Sequence, residues 1–468
     1  MDKLLPYYEQ ELSKLRQASH TFADRHPQLA ARLELSGETS ADPEVERLIQ
    51  SVALLNARTA SHIDDQHADL TSSLLTEHQS LRSIPSCAIA QIDFGNARPN
   101  TISNTTRIPR GTMLKSPGST PCKFRTAYDI HIAPITISDA RIAPIDVPAV
   151  LRLPPNAAAS LRVTIESTSS SKLLQSDEPL RVHISGAPAQ AAAIMDMILL
   201  RTLCVCVQLD EQWTLLPTSP FCQAGMSEAE ALLPETSAAS CYRLLTEYFC
   251  FPEKFNFIDI DLDAITSLAP RSHRLTLHLI LPDYPHPRAL SRDNLRLGCT
   301  PIINLFPHRA SPIKLDPSAT EYTLTPDQLP EVACEIYSID KVSLLRRASG
   351  DGRAPEFAPF DMPSPGNIHW SATSSGSGYE HALSLVERSC TPARLGSGTL
   401  AVHLTCSNRN LPKSLTCGAK GGDLATEINT AGLPIYLLEK PTATQHVAAH
   451  NAHWPLIASL TRAPTLPT

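Results

Sequence analysis

Glycine is scarce in this chain, 18 residues in 468 against 40 prolines. That balance disfavours a long helical bundle and favours strands interrupted by turns, because proline breaks helix interiors. An excess of base is also missing: 40 Lys and Arg face 47 Asp and Glu, for a formal net charge of -7. The electrostatic footprint of a general nucleic-acid or anionic-membrane binder is therefore absent. No apolar run reaches the ~20 residues that a membrane span needs; the longest, Ala191 to Leu209, is broken by Asp196 and Arg201. The N-terminus turns polar after Leu4 and Leu5 and lacks the apolar core and cleavage site of a secretory signal. No direct membrane insertion is expected, and the expected location is cytoplasmic. Twelve cysteines include no CxxC pair, and in a reducing compartment they read as free thiols rather than disulfides or zinc ligands.

The length allows roughly three domains of about 100 to 200 residues, and proline marks the first boundary. Residues 1–84 hold three prolines, Pro6, Pro27 and Pro43, while the other 37 follow. In that first segment Tyr8, Leu12, Leu15, Ser19 and Phe22 recur at the period of one helix face, which predicts a helix from about Pro6 to Arg25. Asp42 then offers a capping acceptor, Pro43 fits the first helical position, and Glu44 and Glu46 oppose the positive end of the dipole. Val45, Leu48, Ile49, Val52, Leu55, Thr59 and Ile63 continue an apolar stripe, so this second helix is expected to run 30 residues or more. A segment carrying 13 acids and 8 bases can bury such a stripe in a hairpin, on its own β-domains or against another chain, and the sequence does not choose.

After Pro85 the period shifts toward two. Ala88 to Phe94, His131 to Ile137, Leu161 to Ile165, Arg181 to Ile184 and Leu275 to Leu281 read as short strands bounded by Pro, Asn, Gly or Ser. Met195 to Leu209 reads as helix passing into strand, and a further helix is expected around Ser227 to Leu233. The Gly-, Pro- and Ser-rich stretch Ser349 to Gly378 reads as a long loop excursion. The expected organisation is an N-terminal helical arm at 1–84, a β-rich domain at 85–235, a second β-rich domain at 236–435 interrupted at 349–378, and a tail at 436–468.

Chemistry-bearing motifs fail one by one. No Gly-Lys-Ser or Gly-Lys-Thr ends a phosphate cradle, and the glycines of Gly418 to Gly422 lack that ending. Gly376-Ser377-Gly378 and Gly396-Ser397-Gly398 space their glycines wrongly for a nucleophile elbow. His62 and His67 are five apart and fall off a common helix face. Asp259, Asp261 and Asp263 match the opening of a calcium loop, but the sixth and twelfth positions are Ala264 and Pro270 where Gly and Glu are needed. The simpler reading has Ile258, Ile260 and Leu262 facing a core and the three aspartates lining the wet face of a strand. No catalytic residue, metal ligand or cofactor site is assigned.

Four stretches together resemble the TssF (ImpG/VasA) family, the baseplate wedge subunit of the type VI secretion system. They are LLPYYEQELSKLRQASHTFADRHPQLAARLELSG with DPEVERLIQSVALLNARTASHIDDQHADLT; LLTEYFCFPEKFNFIDIDL, Leu244 to Leu262; LGCTPIINLFPHRASPIKLDPSATEYTLTPD, Leu297 to Asp327; and, less closely, Cys406 to Leu424. In the second and third stretches the aromatics and prolines read foremost as core and turn packing: a rigid turn under a sheet at Tyr248 to Phe255, and a strand with a stiff exit at Asn304 to Pro307. The resemblance implies an α+β fold, a long-helix N-terminal region followed by β-rich, mainly antiparallel domains, similar to a phage-tail wedge protein. It implies a non-enzymatic scaffold for contractile injection, with TssG, a second TssF copy, TssK, TssE and the VgrG hub as partners, docked at the inner-membrane complex. The stripe Tyr8, Leu12, Leu15, Phe22, Leu48, Ile49, Val52 and Leu55 is the expected partner interface, buried in part between chains. The chain departs from the family at the polar stretch Thr76 to Ser80, at Pro455, and after Trp454 to Leu460, where relatives carry a further segment. The tail thus reads as shortened, either naturally or by the removal of an assembly element. The alternative reading is a cytosolic β-rich metal- or carbohydrate-binding protein.

Overall fold

The computed structural model describes residues 4–32, 43–77, 83–93, 106–167, 178–234, 240–262, 265, 273–284, 290–316, 318–328, 334–345 and, within 355–445, all but 361, 363, 365, 375–380, 394, 397, 429 and 431. Two compact units emerge, Met1–Glu77 with Ala372–Leu383 and Ala448–Thr468, and His78–Ser371 with Ser384–Val447.

Among its described residues the first unit carries three helices: α1 (Leu5–Arg25), α2 (Pro27–Arg32) and α3 (Pro43–Glu77). Proline sits in the first turn of α1, where a missing N–H costs nothing. Glu44 and Glu46 occupy the first turn of α3. The Tyr7 hydroxyl donates to Asp64 at 2.8 Å and Arg16 pairs with Glu46 at 2.7 Å, so α1 and α3 run antiparallel. Between them the fully buried side chains are alanines, Ala53 and Ala57, one helical turn apart. Small residues at that spacing let the helix axes approach closely.

The second unit is mostly antiparallel β-sheet. A six-stranded sheet runs Ala425–Thr426, Met113–Lys115, Lys123–Thr126, Cys299–Ile303, Cys87–Ile92, Ile435–Leu437. A five-stranded sheet runs Gln212–Leu215, Cys204–Leu209, Arg274–Leu281, Ala159–Ser167, Ile135–Ala143, and a four-stranded one Phe221–Gln223, Phe257–Ile260, Leu180–Ile184, Leu295–Leu297. These two share one core with α4 (Pro188–Leu199), and Ile194 and Ile198 of the helix belong to it with Ile165, Leu277, Val182 and Ile258. The central strand Arg274–Leu281 is buried at every position after Arg274, including the Thr276 and His278 that alternate with its leucines. An eight-stranded sheet is centred on Thr399–Ser407 and Glu335–Leu345. Among the described pairings only Glu356–Pro359 with Ile368–Ser374 is parallel.

Three local expectations are corrected. Residues 349–378 are no plain loop, because Glu356–Pro359 and Ile368–Ser374 are strands of the eight-stranded sheet. Their Phe357 and His369 are buried, so the glycines and prolines punctuate strands here rather than replace them. The helix expected around Ser227 is a single 3-10 turn at Glu228–Glu230. Tyr248 to Cys250 close α5 (Ser240–Cys250) and are followed by a 3-10 turn at Pro252–Phe255, where a rigid turn was expected throughout.

Candidate functional site

The expected interface residues divide between the two sides of the arm. Tyr8, Leu12, Leu15 and Ile49 are half-buried on the inner side of the α1–α3 hairpin, and Val52 is half-buried at the edge of the outer side. Leu48 and Leu55 point outward at 65% and 62% exposure, with Phe22 at 39%, Leu54 at 37% and Ile63 at 45%. The inner line of α3 runs through Ile49, Ala53 and Ala57. Leu48, Val52, Leu55, Thr59 and His62 recur at spacings of four and three, which makes a second line offset by about one residue, or ~100°. Arg58 flanks that outer line and is exposed, as is Arg47. The helix thus has one face against α1 and another on which Leu48 and Leu55 are exposed. The sequence stripe merged the two lines; the signal that separates them is the Ala53/Ala57 repeat, since alanine marks the tighter contact.

The second family stretch also divides. Inward from α5, Glu247 accepts the amides of Leu232 and Leu233 at 2.9 and 3.0 Å and pairs with the Lys254 ammonium, which also donates to the Gly225 carbonyl at 2.9 Å. Both side chains of that pair have no exposed surface. Burial pulls the Lys254 ammonium below its ordinary value, and the Glu247 carboxylate beside it pulls the other way. The Tyr128 hydroxyl donates to the Lys254 carbonyl at 2.8 Å, and the Arg181 guanidinium lies over the Tyr128 ring at 4.8 Å. Outward, Leu245, Tyr248 and Phe249 are 55%, 54% and 78% exposed. Phe251, Phe255 and Phe257 do pack inside.

Asp259 is not on a wet face. It is 7% exposed and takes the Arg181 guanidinium in a two-pronged pair at 2.7 and 2.7 Å, while Glu230 holds the same guanidinium at 2.5 Å. Both of its oxygens are held by the Arg181 guanidinium, an ion pair that takes the place of the calcium reading at this position; Asp263 lies outside the described residues. Among the described residues no group of three His, Cys, Asp or Glu could hold a metal ion. The Gly418 to Gly422 turn is filled internally: Asp423 accepts the amides of Gly418, Ala419 and Leu437. His62 is exposed; the side chain of His67, the triplet at Gly376 and the Trp454 to Leu460 element lie outside the described residues. A cavity of about 250 Å³ is lined by Gln91, Asp93, Thr136, Arg292, Asp293 and Arg296, a wall of mixed sign.

The third and fourth stretches meet each other. Asn304, wholly buried, donates to the Lys123 carbonyl at 2.7 Å and to the Asn408 side chain at 2.9 Å, and accepts the Asn408 amide at 2.6 Å. Phe306 sits beside them with the Lys123 ammonium 4.8 Å from its ring centre. These residues tie the six-stranded sheet to the eight-stranded one. Such links escape sequence reasoning because their partners are 104 and 181 residues apart.

With this geometry in view, the family described as Type VI secretion system, TssF, matches residues 1–465. The chain belongs to the TssF family. It is similar to the type VI secretion system component TssF1 of Pseudomonas aeruginosa strain PAO1, at 29% identity over 98% of this chain and 79% of that protein. Among solved structures it is similar to a chain of the TssK-TssF-TssG baseplate subcomplex determined by cryo-electron microscopy, with TM-score 0.68 and 25% identity over 89% of this chain and 78% of that one. Among the described residues no helix is long and apolar enough to cross a membrane.

Proposed function

We propose that the chain is a structural, non-enzymatic part of a type VI secretion baseplate, binding TssG and TssK, and that the arm supplies the TssG contact. Membership of the family carries the reading, supported by the solved relative's presence in a subcomplex named for all three proteins. The outward residues Leu48 and Leu55 are the expected seat of a partner helix, because exposed apolar side chains on a folded helix leave water only when another element covers them. In the fuller form of this reading the chain acts in the cytoplasm at the inner-membrane complex. A second copy completes a wedge like that of a phage tail, and TssE and the VgrG hub link it to contractile injection.

Co-expression with a TssG and a TssK followed by size-exclusion chromatography is the test. Co-elution is expected; separate elution of the three proteins overturns the reading. Replacing Leu48 and Leu55 by Asp should release TssG while leaving the circular-dichroism spectrum of the arm unchanged, because both positions are already in water.

A further inference from the structure

The cavity of about 250 Å³ is bordered by the outermost strands of two sheets, Ile135–Ala143 of the five-stranded sheet and Leu295–Leu297 of the four-stranded one. Register fixes where their peptide groups point, because alternate residues of an antiparallel pair face the partner strand and the others face away. Ser167 donates to the His273 carbonyl at 3.0 Å, which turns Ser167 and Ile165 toward the central strand and Glu166 toward Thr136. The peptide groups of Ile135 and Ile137 therefore point off the sheet edge. By the same count Ser185 donates to the Asn294 carbonyl at 2.7 Å, His183 meets Arg296, and Leu295 and Leu297 point outward. On that side the Leu295 amide turns back to the Arg292 carbonyl, and the Leu297 carbonyl accepts the Gln91 side chain at 3.1 Å. The Ile135 amide turns to the Ala133 carbonyl at 2.7 Å, so Ile137 carries an outward donor and acceptor that none of these bonds uses. An outermost strand with outward peptide groups is a template for one more strand.

Charge on the same walls narrows the occupant. Arg296 lines the cavity; its Nη1 donates to Gln91 Oε1 at 3.3 Å, while its Nε–H, shut off from solvent, has no hydrogen-bond partner among the described residues. Arg292 stands exposed on the same wall. A carboxylate answers such a pair, since charge-assisted bonds to guanidinium are the stronger kind and an unmade buried one is costly. Asp93 and Asp293 share the lining and disfavour a polyanion such as phosphate. A peptide with one acidic side chain meets all of these demands, because its N–H groups suit the aspartates and the outward carbonyls while its carboxylate suits the arginines. We propose that this cavity captures an extended, acidic segment of a partner protein, its backbone laid along Ile135–Ile137 and its carboxylate held by Arg296 and Arg292. The site lies in the β-sheet unit, and neither it nor its test involves the arm or TssG.

The experiment titrates the full chain into a fluorescein-labelled short peptide, blocked at both ends, with valine on either side of a central aspartate and threonine beyond, and reads anisotropy. Saturable binding is expected, weakened about tenfold when asparagine replaces the aspartate and lost when the peptide's backbone nitrogens are methylated. Arg292→Ala, at an exposed position, should weaken binding severalfold with an unchanged circular-dichroism spectrum. Arg296→Met should remove it and Arg296→Lys should restore part, whereas Arg141→Met, exposed and paired with Asp139 on the same edge strand, should leave it unchanged. The proposal is overturned if the peptide does not saturate, or if Arg292→Ala and the two Arg296 variants bind it as the parent chain does. A methylated peptide that binds equally well overturns the strand pairing. Succinate that displaces the peptide at the peptide's own concentration overturns the peptide reading, since a free carboxylate then suffices.

Discussion

Lys254 has no exposed surface, and its charge is tolerated only because Glu247 and the Gly225 carbonyl surround it. Removing one partner of such a pair costs more than removing both, since the survivor is left charged and dry. Glu247→Gln should therefore lower stability by about 3–5 kcal/mol in urea unfolding, and the Glu247→Gln, Lys254→Met double variant should recover a large part of it. A double variant as unstable as the single one would show that the lost amide contacts at Leu232 and Leu233 dominate instead. Acid sensitivity belongs to the same scale. His183, beside the Phe257 ring at 4.7 Å and with neither ring nitrogen bonded, is pushed down to about 3 by burial and by Arg296; burial and Arg162 push His278 down to about 4. Both are neutral in the fold but take a proton near 6.5 when unfolded. Their contribution is intact above pH 6.5 and is lost as pH falls from there toward 4 and 3, at up to about 1.4 kcal/mol per pH unit for each. His183→Phe should flatten the fall in melting temperature between pH 6.5 and 4; an unchanged slope would assign that fall to carboxylates such as Glu230, which Arg181 and the Gly225 amide hold below the usual range despite its burial.

At the scale of elements, α3 is two-sided. Its Ala53 and Ala57 have no exposed surface against α1, so an added side chain there has nowhere to go. Ala53→Leu with Ala57→Leu should overpack the seam and cost about 1–3 kcal/mol per site, read as a lower melting temperature of the arm's helical signal. The same enlargement at Ser51, which is exposed, should be neutral. Equal losses at Ser51 and Ala53 would refute the assignment of faces. α5 repeats the arrangement in miniature: Glu247 is wholly buried while Tyr248 and Phe249, the next two residues, stand in solvent. One sequence stretch thus holds a packing half and a surface half, which a reading by residue type alone assigns entirely to packing.

Across the whole molecule the sheets interleave distant stretches. The five-stranded sheet draws its central strand from Arg274–Leu281 and its neighbours from Ala159–Ser167 and Cys204–Leu209. The six-stranded sheet joins Cys87–Ile92 to Cys299–Ile303 and Ile435–Leu437. A fragment of residues 85–235 lacks the strand that fills the middle of its own sheet. It should be unfolded by near-ultraviolet circular dichroism, and adding residues 236–445 should restore the fold. A folded 85–235 fragment would show that the interleaving is dispensable. Pairings of such long sequence separation also predict slow folding, because loop closure precedes the contacts that reward it.

What the sequence by itself determined is whatever depends on neighbours along the chain. The helical period from Tyr8 to Phe22, the proline and acids that open α3, the alternation of the short strands and the family likeness of four stretches are all local patterns. The absence of phosphate, nucleophile and zinc-helix motifs is legible in the same way. Tertiary structure alone decided that Asp259 answers Arg181, that Lys254 is buried against Glu247, that Asn304 meets Asn408, and that Leu48 and Leu55 face outward while Ala53 and Ala57 face α1. Periodicity gives the direction of a side chain relative to its own helix or strand, but not which distant element arrives there. Burial and pairing are set by that arrival, so the fate of each polar or apolar group is fixed only when the chain closes on itself.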